Sequence, residues 1–411
     1  MKLPTPVKIA ATLLVLALAA WLGTSEHFYQ SALLSLFFGV TLASVVLIHF
    51  RVGPSWRDAL CVLGGAILFS VVDFGFLQFV PSLAGIISFL GISSLMILGL
   101  RATWSTGAQG EQMALAFLPA LLFVTSDWGS TVLLRWTEKA HPNVLDLYLF
   151  SFDSSLHVQL AFLAGQAYAL WPLFKGLGLT FYIGLPMVIA MVYAGQLRRD
   201  RTQALSAMTA FLITGPIGVL FYNLLPAVGP IHVFLGRFPW KPIPPADATR
   251  LLAEPIPIAG LRNCMPSLHM GWVLLAWWYS KGLSIWERGI AMAFAIFTAF
   301  ATMGTGEHYS IDLVVAFPFA VFLQGLCALR LPWSSRARIM AISYGLLATL
   351  GWMGALRLAL KFFWISPIVP WTACILTIAS AIAVQKRLET ATDEPQVFES
   401  LASEAAPAGI S

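Results

Sequence analysis

Arg262-Asn263-Cys264-Met265-Pro266-Ser267-Leu268-His269 opens a stretch that closes with Gly304-Thr305-Gly306-Glu307-His308-Tyr309-Ser310-Ile311-Asp312. The two segments between the histidines, near Met270 to Tyr279 and Gly289 to Met303, are too apolar to be loops. Each, with its flanks, can cross a membrane as a helix. One helix down and one back returns His308 to the face where His269 began. If the next segment is helical too, Asp312 lies one turn past His308 on the same side. The pattern therefore predicts an all-α membrane bundle with two histidines and a carboxylate converging at one water-facing end.

Composition agrees with this reading. Of 411 residues, 58% are hydrophobic and 10% charged, against roughly 25% charged in soluble domains. This is the composition of a polytopic integral membrane protein. The net charge of +5 does not predict a nucleic-acid partner, because the basic residues sit in short clusters between apolar segments. Such clusters orient helices in a membrane rather than line a groove. Cys61, Cys264, Cys327 and Cys374 are scattered, and only Cys264 falls in an expected extramembrane loop. Neither a disulfide framework nor a cysteine metal site is expected.

Apolar segments fall near residues 7–23, 31–50, 58–80, 82–100, 113–134, 174–195, 206–226, 265–283, 288–304, 308–329, 338–360 and 363–384. They predict about twelve transmembrane helices. The first is read as an uncleaved helix in preference to a signal peptide, since many others follow. Four regions are expected: an N-terminal four-helix membrane region (1–112), a membrane core carrying the polar cluster (113–329), two further spans (330–388) and an acidic tail (389–411). Lys2, Lys8, Arg51, Arg57, Arg101, the Arg198 to Arg201 cluster, Lys281, Arg288, Arg330, Arg336, Arg338, Lys386 and Arg387 fall on one side. By the positive-inside rule that side is cytoplasmic, as are both termini. The proline-rich loop from Ala227 to Cys264 is then external and suits a lid. The connection from Arg135 to Trp171, with Asp146, Asp153 and His157, reads as an interfacial segment on the outer face. Asp73 reads as a buried carboxylate or part of an ion path, and Asp127 as a helix-end residue.

A histidine with an aspartate one turn away is weak evidence by itself, since a carboxylate that merely holds a histidine gives the same spacing. The cost of ionisable groups at membrane-helix ends makes the convergence of His269, His308 and Asp312 a functional expectation. Asp312 can fix the His308 tautomer so that its other nitrogen is a nucleophile, and His269 can protonate a leaving oxygen. Ser267 and the helix start after Pro266 offer an anion-binding terminus, with Arg262 a nearby charge.

These residues resemble a known family. Pro266-Ser267-Leu268-His269 followed by Gly306-Glu307-His308-Tyr309-Ser310-Ile311-Asp312 is similar to the motifs of the type-2 phosphatidic acid phosphatase superfamily. The forms of the two motifs look most like its aureobasidin-resistance, inositol phosphorylceramide synthase-like branch. Tyr222 to Pro230 is similar to that branch's element at the outer end of the preceding helix. The resemblance covers residues 113–329 and implies His308 as nucleophile, Asp312 as its partner and His269 as general acid. The family's first motif has no match here, and Thr302 stands where its arginine six residues before the nucleophile is expected. Arg262, Arg237 and Lys241 are the candidates to bind phosphate in its place.

The expectation is a membrane phosphatase or phospho-head-group transferase acting through a phosphohistidine at the extracytoplasmic face. It would need no cofactor, and its substrate would be a lipid phosphate, lipid diphosphate or phospholipid. A transporter or flippase with a degenerate site is the alternative. A third reading places a metal on His269, His308 and Asp312.

Overall fold

The computed structural model describes residues 4–24, 36–72, 83–244, 247 and 253–393. Asp73 and the end of the tail, residues 394–411, lie outside the described residues, as does the side chain of Asp127.

The described chain is all-α apart from one two-stranded ladder. In chain order its helices are α1 (Thr5–Thr24), α2 (Leu36–Arg51), α3 (Trp56–Val72), α4 (Leu83–Trp104) and α5 (Gly107–Ala140). Then come α6 (Asp146–Ser155), α7 (Leu160–Leu170), α8 (Pro172–Ile183), α9 (Leu185–Arg199), α10 (Arg201–Leu224) and α11 (Pro230–Phe234). The remainder are α12 (Leu268–Tyr279), α13 (Ile285–Gly304), α14 (Ser310–Leu326), α15 (Arg336–Leu358), α16 (Leu360–Phe363) and α17 (Ile368–Asp393). The ladder joins β1 (Asn143–Val144) to β2 (Ile256–Pro257), antiparallel, and so pins the long loop to the end of α5.

The described residues do not support the expected twelve spans. Among the described residues five helices, α4, α10, α13, α15 and α17, are long and apolar enough to cross a membrane, or six if α8 and α9 form one span bent by 50°. Several other apolar runs fold as shorter helices, including Leu160–Leu170 and Ser310–Leu326. Hydropathy registers burial in protein and burial in lipid alike, and an apolar helix as short as Leu160–Leu170 is more often packed inside a protein. The expected division at residue 112 falls inside α5, which runs unbroken from Gly107 to Ala140.

Two hydrophobic clusters organise the bundle. The larger joins α6 to α14 with α15 and α17, including Phe152, Val273, Phe319 and Trp352. The smaller packs α2, α4 and α5 against Ala190 and Tyr193 of α9 and Ala204 and Met208 of α10. Helix α9 is thus shared between them.

α12 and α13 form the expected antiparallel return. Ser267 caps α12 by accepting from Met270 N–H, and Ser284 with Glu287 makes a reciprocal capping box at the start of α13. Arg199 donates to the carbonyl of Lys281, just beyond the C-terminal end of α12. The Arg198 to Arg201 cluster therefore lies about 18 Å from His269, the length of a twelve-residue helix at ~1.5 Å per residue.

Candidate active site

The return from α13 to α14 builds the centre. Gly306 has φ +79°, a left-handed conformation that suits glycine and turns the chain toward His308. His308 N–H donates to the carbonyl of Thr302 at 3.2 Å. His308 precedes α14 rather than lying on it, so simple helical spacing does not create its contact with Asp312. Asp312 is the third residue of α14, and its Oδ2 accepts Tyr309 N–H at 2.7 Å, capping the helix. That same Oδ2 lies 3.5 Å from His308 Nδ1. The other ring nitrogen, Nε2, is 3.3 Å from Ser267 Oγ. Both His308 and Asp312 are buried.

His269 enters from the first turn of α12, within electrostatic reach of His308. Its ring stacks on Tyr182 of α8 with centroids 4.2 Å apart and an interplanar angle of 20°. Tyr182 Oη stands 3.4 Å from His269 Nδ1, and Trp272 meets the ring edge-on. Tyr182 precedes Gly184, where α8 gives way to α9, so the bend places this aromatic partner.

The basic candidates fare differently. Arg262 is buried, and its guanidinium donates to the carbonyls of His141, Pro142, Ile258 and Gly260, with Glu138 at 3.9 Å. It fastens the loop to the end of α5, and its fork is spent on carbonyls rather than offered to a phosphate. Arg237 and Lys241 lie exposed on the long loop, and neither contacts the trio among the described residues. Thr302, at the position of the family's arginine, is fully buried.

Cys264 is buried rather than exposed, and burial pushes its thiol well above the ordinary range. Its Sγ donates to Asp312 Oδ2 at 2.8 Å. Ligand atoms of Cys264, His308 and Asp312 all lie within 4.8 Å of one another, so the group with metal-like spacing contains Cys264 and omits His269.

The sequence reading named Asp146 and Asp153 but gave them no role at the site. α6 is buried in protein, and it presents Asp146 and Asp153, two turns apart, to the His308 turn. Asp146 accepts from Val228 N–H, Gly229 N–H and Tyr309 O–H. Asp153 accepts from Ser310 N–H, Ser310 Oγ–H and Ile311 N–H, satisfying the first turn of α14. Burial pushes Asp146 up to about 6 and Asp153 up to about 7, against the pull of these donors. The seven-residue spacing was visible in the sequence, but nothing local said what it would face.

Residues 147–326 match the family model described as the PAP2 superfamily. The chain carries a PAP2 superfamily domain. That domain runs from α6 to the end of α14, so it contains both histidines, Asp312 and Asp153, and begins one residue after Asp146. No curated protein and no solved structure matches the chain.

Asp153→Ala should leave the buried N–H groups of Ser310 and Ile311 without acceptors, costing about 1–3 kcal/mol for each group left unsatisfied. Thermal unfolding in detergent should show the loss, and turnover should fall further than folding alone explains because His308 loses its register. Unchanged stability and turnover would remove Asp153 from the site's support.

Proposed function

We propose that this protein transfers a phosphoryl or phospho-head-group from a lipid phosphate, lipid diphosphate or phospholipid through a phosphohistidine. The PAP2 superfamily domain supports the reaction class. The observation that carries the mechanism is the placement of His308: Nδ1 faces Asp312, and Nε2 faces Ser267 at the start of α12. With Asp312 holding the proton on Nδ1, Nε2 presents its lone pair.

Nε2 attacks phosphorus, and the bond to the leaving oxygen breaks as His269 donates its proton to that oxygen. Water or an alcohol then gives its proton to His269 and attacks phosphorus, breaking the N–P bond and freeing His308. Ser267 Oγ and the N-terminus of α12 supply dipoles for the phosphoryl oxygens. Transfer to an alcohol is the outcome favoured by the likeness of Pro266-Ser267-Leu268-His269 to the inositol phosphorylceramide synthase-like branch. Purified protein given a panel of lipid phosphates, with and without candidate alcohols, tests both levels. Phosphate or phospho-alcohol should appear, and silence across the panel would sink the enzyme reading in favour of a transporter with a degenerate site.

A second reading has its own observation, the close approach of Cys264, His308 and Asp312. Zinc favours such donors, and a catalytic site with three protein ligands keeps a fourth position open. Activity lost to a chelator and restored by zinc would favour it, whereas chelator-insensitive turnover supports the phosphohistidine.

We place the site on the extracytoplasmic side, because α13, twenty residues long and apolar enough to cross a membrane, separates the His308 turn from Lys281, whose carbonyl Arg199 meets. Buried Cys264 cannot report this. An exposed position on the loop can: Trp240→Cys, in a chain without exposed Cys61, should react with an impermeant thiol reagent in intact cells. Labelling only after lysis would invert the orientation.

A further inference from the structure

A cavity of about 350 Å³ adjoins His269, within the roughly 300–1,000 Å³ typical of ligand pockets. His269 and Asn263 stand among its lining, and α5 contributes Phe123, Ser126, Ser130 and Leu134. The lining is largely apolar, yet it includes the residue proposed to protonate the leaving oxygen. α5, residues 107–140, ends before the PAP2 superfamily domain begins at 147.

We infer that this cavity holds the hydrocarbon chain of the leaving alcohol, and that α5, outside the family domain, determines which chains fit. The inference rests on the phosphoryl-transfer reading above and deepens it. A general acid must touch the oxygen that departs, so the departing group lies on the His269 side of phosphorus. That side is apolar. A small polar alcohol leaving there would lose its water to Phe123 and Leu134 without gaining matched partners, whereas an alkyl chain would be desolvated favourably.

The cavity also has a narrow place. A Cβ built on Gly215 of α10 would lie 3.2 Å from Ser130 Oγ, so added bulk at either position closes the gap between the two helices. Ser126 and Ser130 hydroxyls return to carbonyls of their own helix and bridge to no other element. Enlarging Ser130 thus removes only a local bond.

The test uses the full-length protein in detergent. Hexadecyl and hexyl phosphate are compared for wild type, Ser130→Phe, Gly215→Val and the control Leu122→Phe, whose native side chain is exposed on α5. Each methylene denied burial costs about fourfold, so the hexadecyl-to-hexyl ratio of kcat/KM should drop on the order of 10- to 100-fold in both cavity variants. It should hold in Leu122→Phe. In parallel, a hexadecyl phosphonate with a photoactivatable group on its chain should label residues 123–134 of wild type, and Ser130→Phe should suppress the labelling. This second readout needs no turnover. Labelling without hydrolysis would overturn the enzyme reading and keep the chain site. An unchanged ratio in both cavity variants, or labelling elsewhere, would overturn the chain site itself.

Discussion

His308→Ala is expected to bring phosphoryl transfer down by on the order of 10⁴-fold or more and to abolish the covalent intermediate. The reason is positional. Among the described residues, His308 alone combines an imidazole nitrogen facing the start of α12 with a carboxylate behind the other nitrogen. Ser267, its neighbour, has no general base of its own once the imidazole is gone, so no substitute nucleophile is generated. The measurement is capture of an acid-labile, base-stable phosphoenzyme with an activated aryl phosphate, with size-exclusion behaviour confirming that the variant folds. A phosphoenzyme that persists in His308→Ala would place the nucleophile elsewhere.

His269→Ala is expected to depend on the substrate rather than to be uniformly slow. With an alkoxide leaving group, loss of the proton donor should cost on the order of 10²- to 10⁴-fold, and with an acidic phenol much less. The phosphoenzyme should still form from the phenol ester, because the nucleophile is intact. The contrast matters because His269 also stacks on Tyr182 and lines the apolar cavity, so its loss disturbs packing as well as chemistry. A packing defect would slow every substrate alike. If His269→Ala loses the same factor with alkyl and phenyl esters, the ring has no acid role and the assignment of the two histidines is wrong.

The parts of the site legible in the sequence were those whose logic is local. Ser267 before an apolar run, and His308 with Asp312 four residues later, are short-range patterns, and the return of α13 on α12 follows from their apolar lengths. What was illegible depends on approach in space. Arg262 looked like a phosphate ligand because its acceptors come from residues 141–142 and 258–260, drawn together by the β1–β2 ladder. Asp146 and Asp153 looked interfacial because polar residues spaced along an aromatic-rich segment have the same signature whether they meet head groups or unsatisfied N–H groups. The span count failed for a related reason. α14 is buried along most of its length, and hydropathy does not say which nonpolar medium is present.

The grip of α6 has a consequence for how molecules come and go. One carboxylate, Asp146, holds both the Val228–Gly229 turn and Tyr309, while Ile231 N–H bonds to the carbonyl of Gly306. A Cβ on Gly229 would sit 2.4 Å from the carbonyl oxygen of Glu307, so the two backbones are already in contact. This part of the long loop cannot lift like a door without carrying the His308 turn with it. On the phosphoryl-transfer reading, the approach to His269 that leaves this turn in place is the cavity between α5 and α10, which opens toward the bilayer if those helices lie in it. On that route the concentration that matters is the number of substrate molecules per lipid, and diluting the membrane with inert lipid slows the reaction even when the amount of substrate in the suspension is held constant.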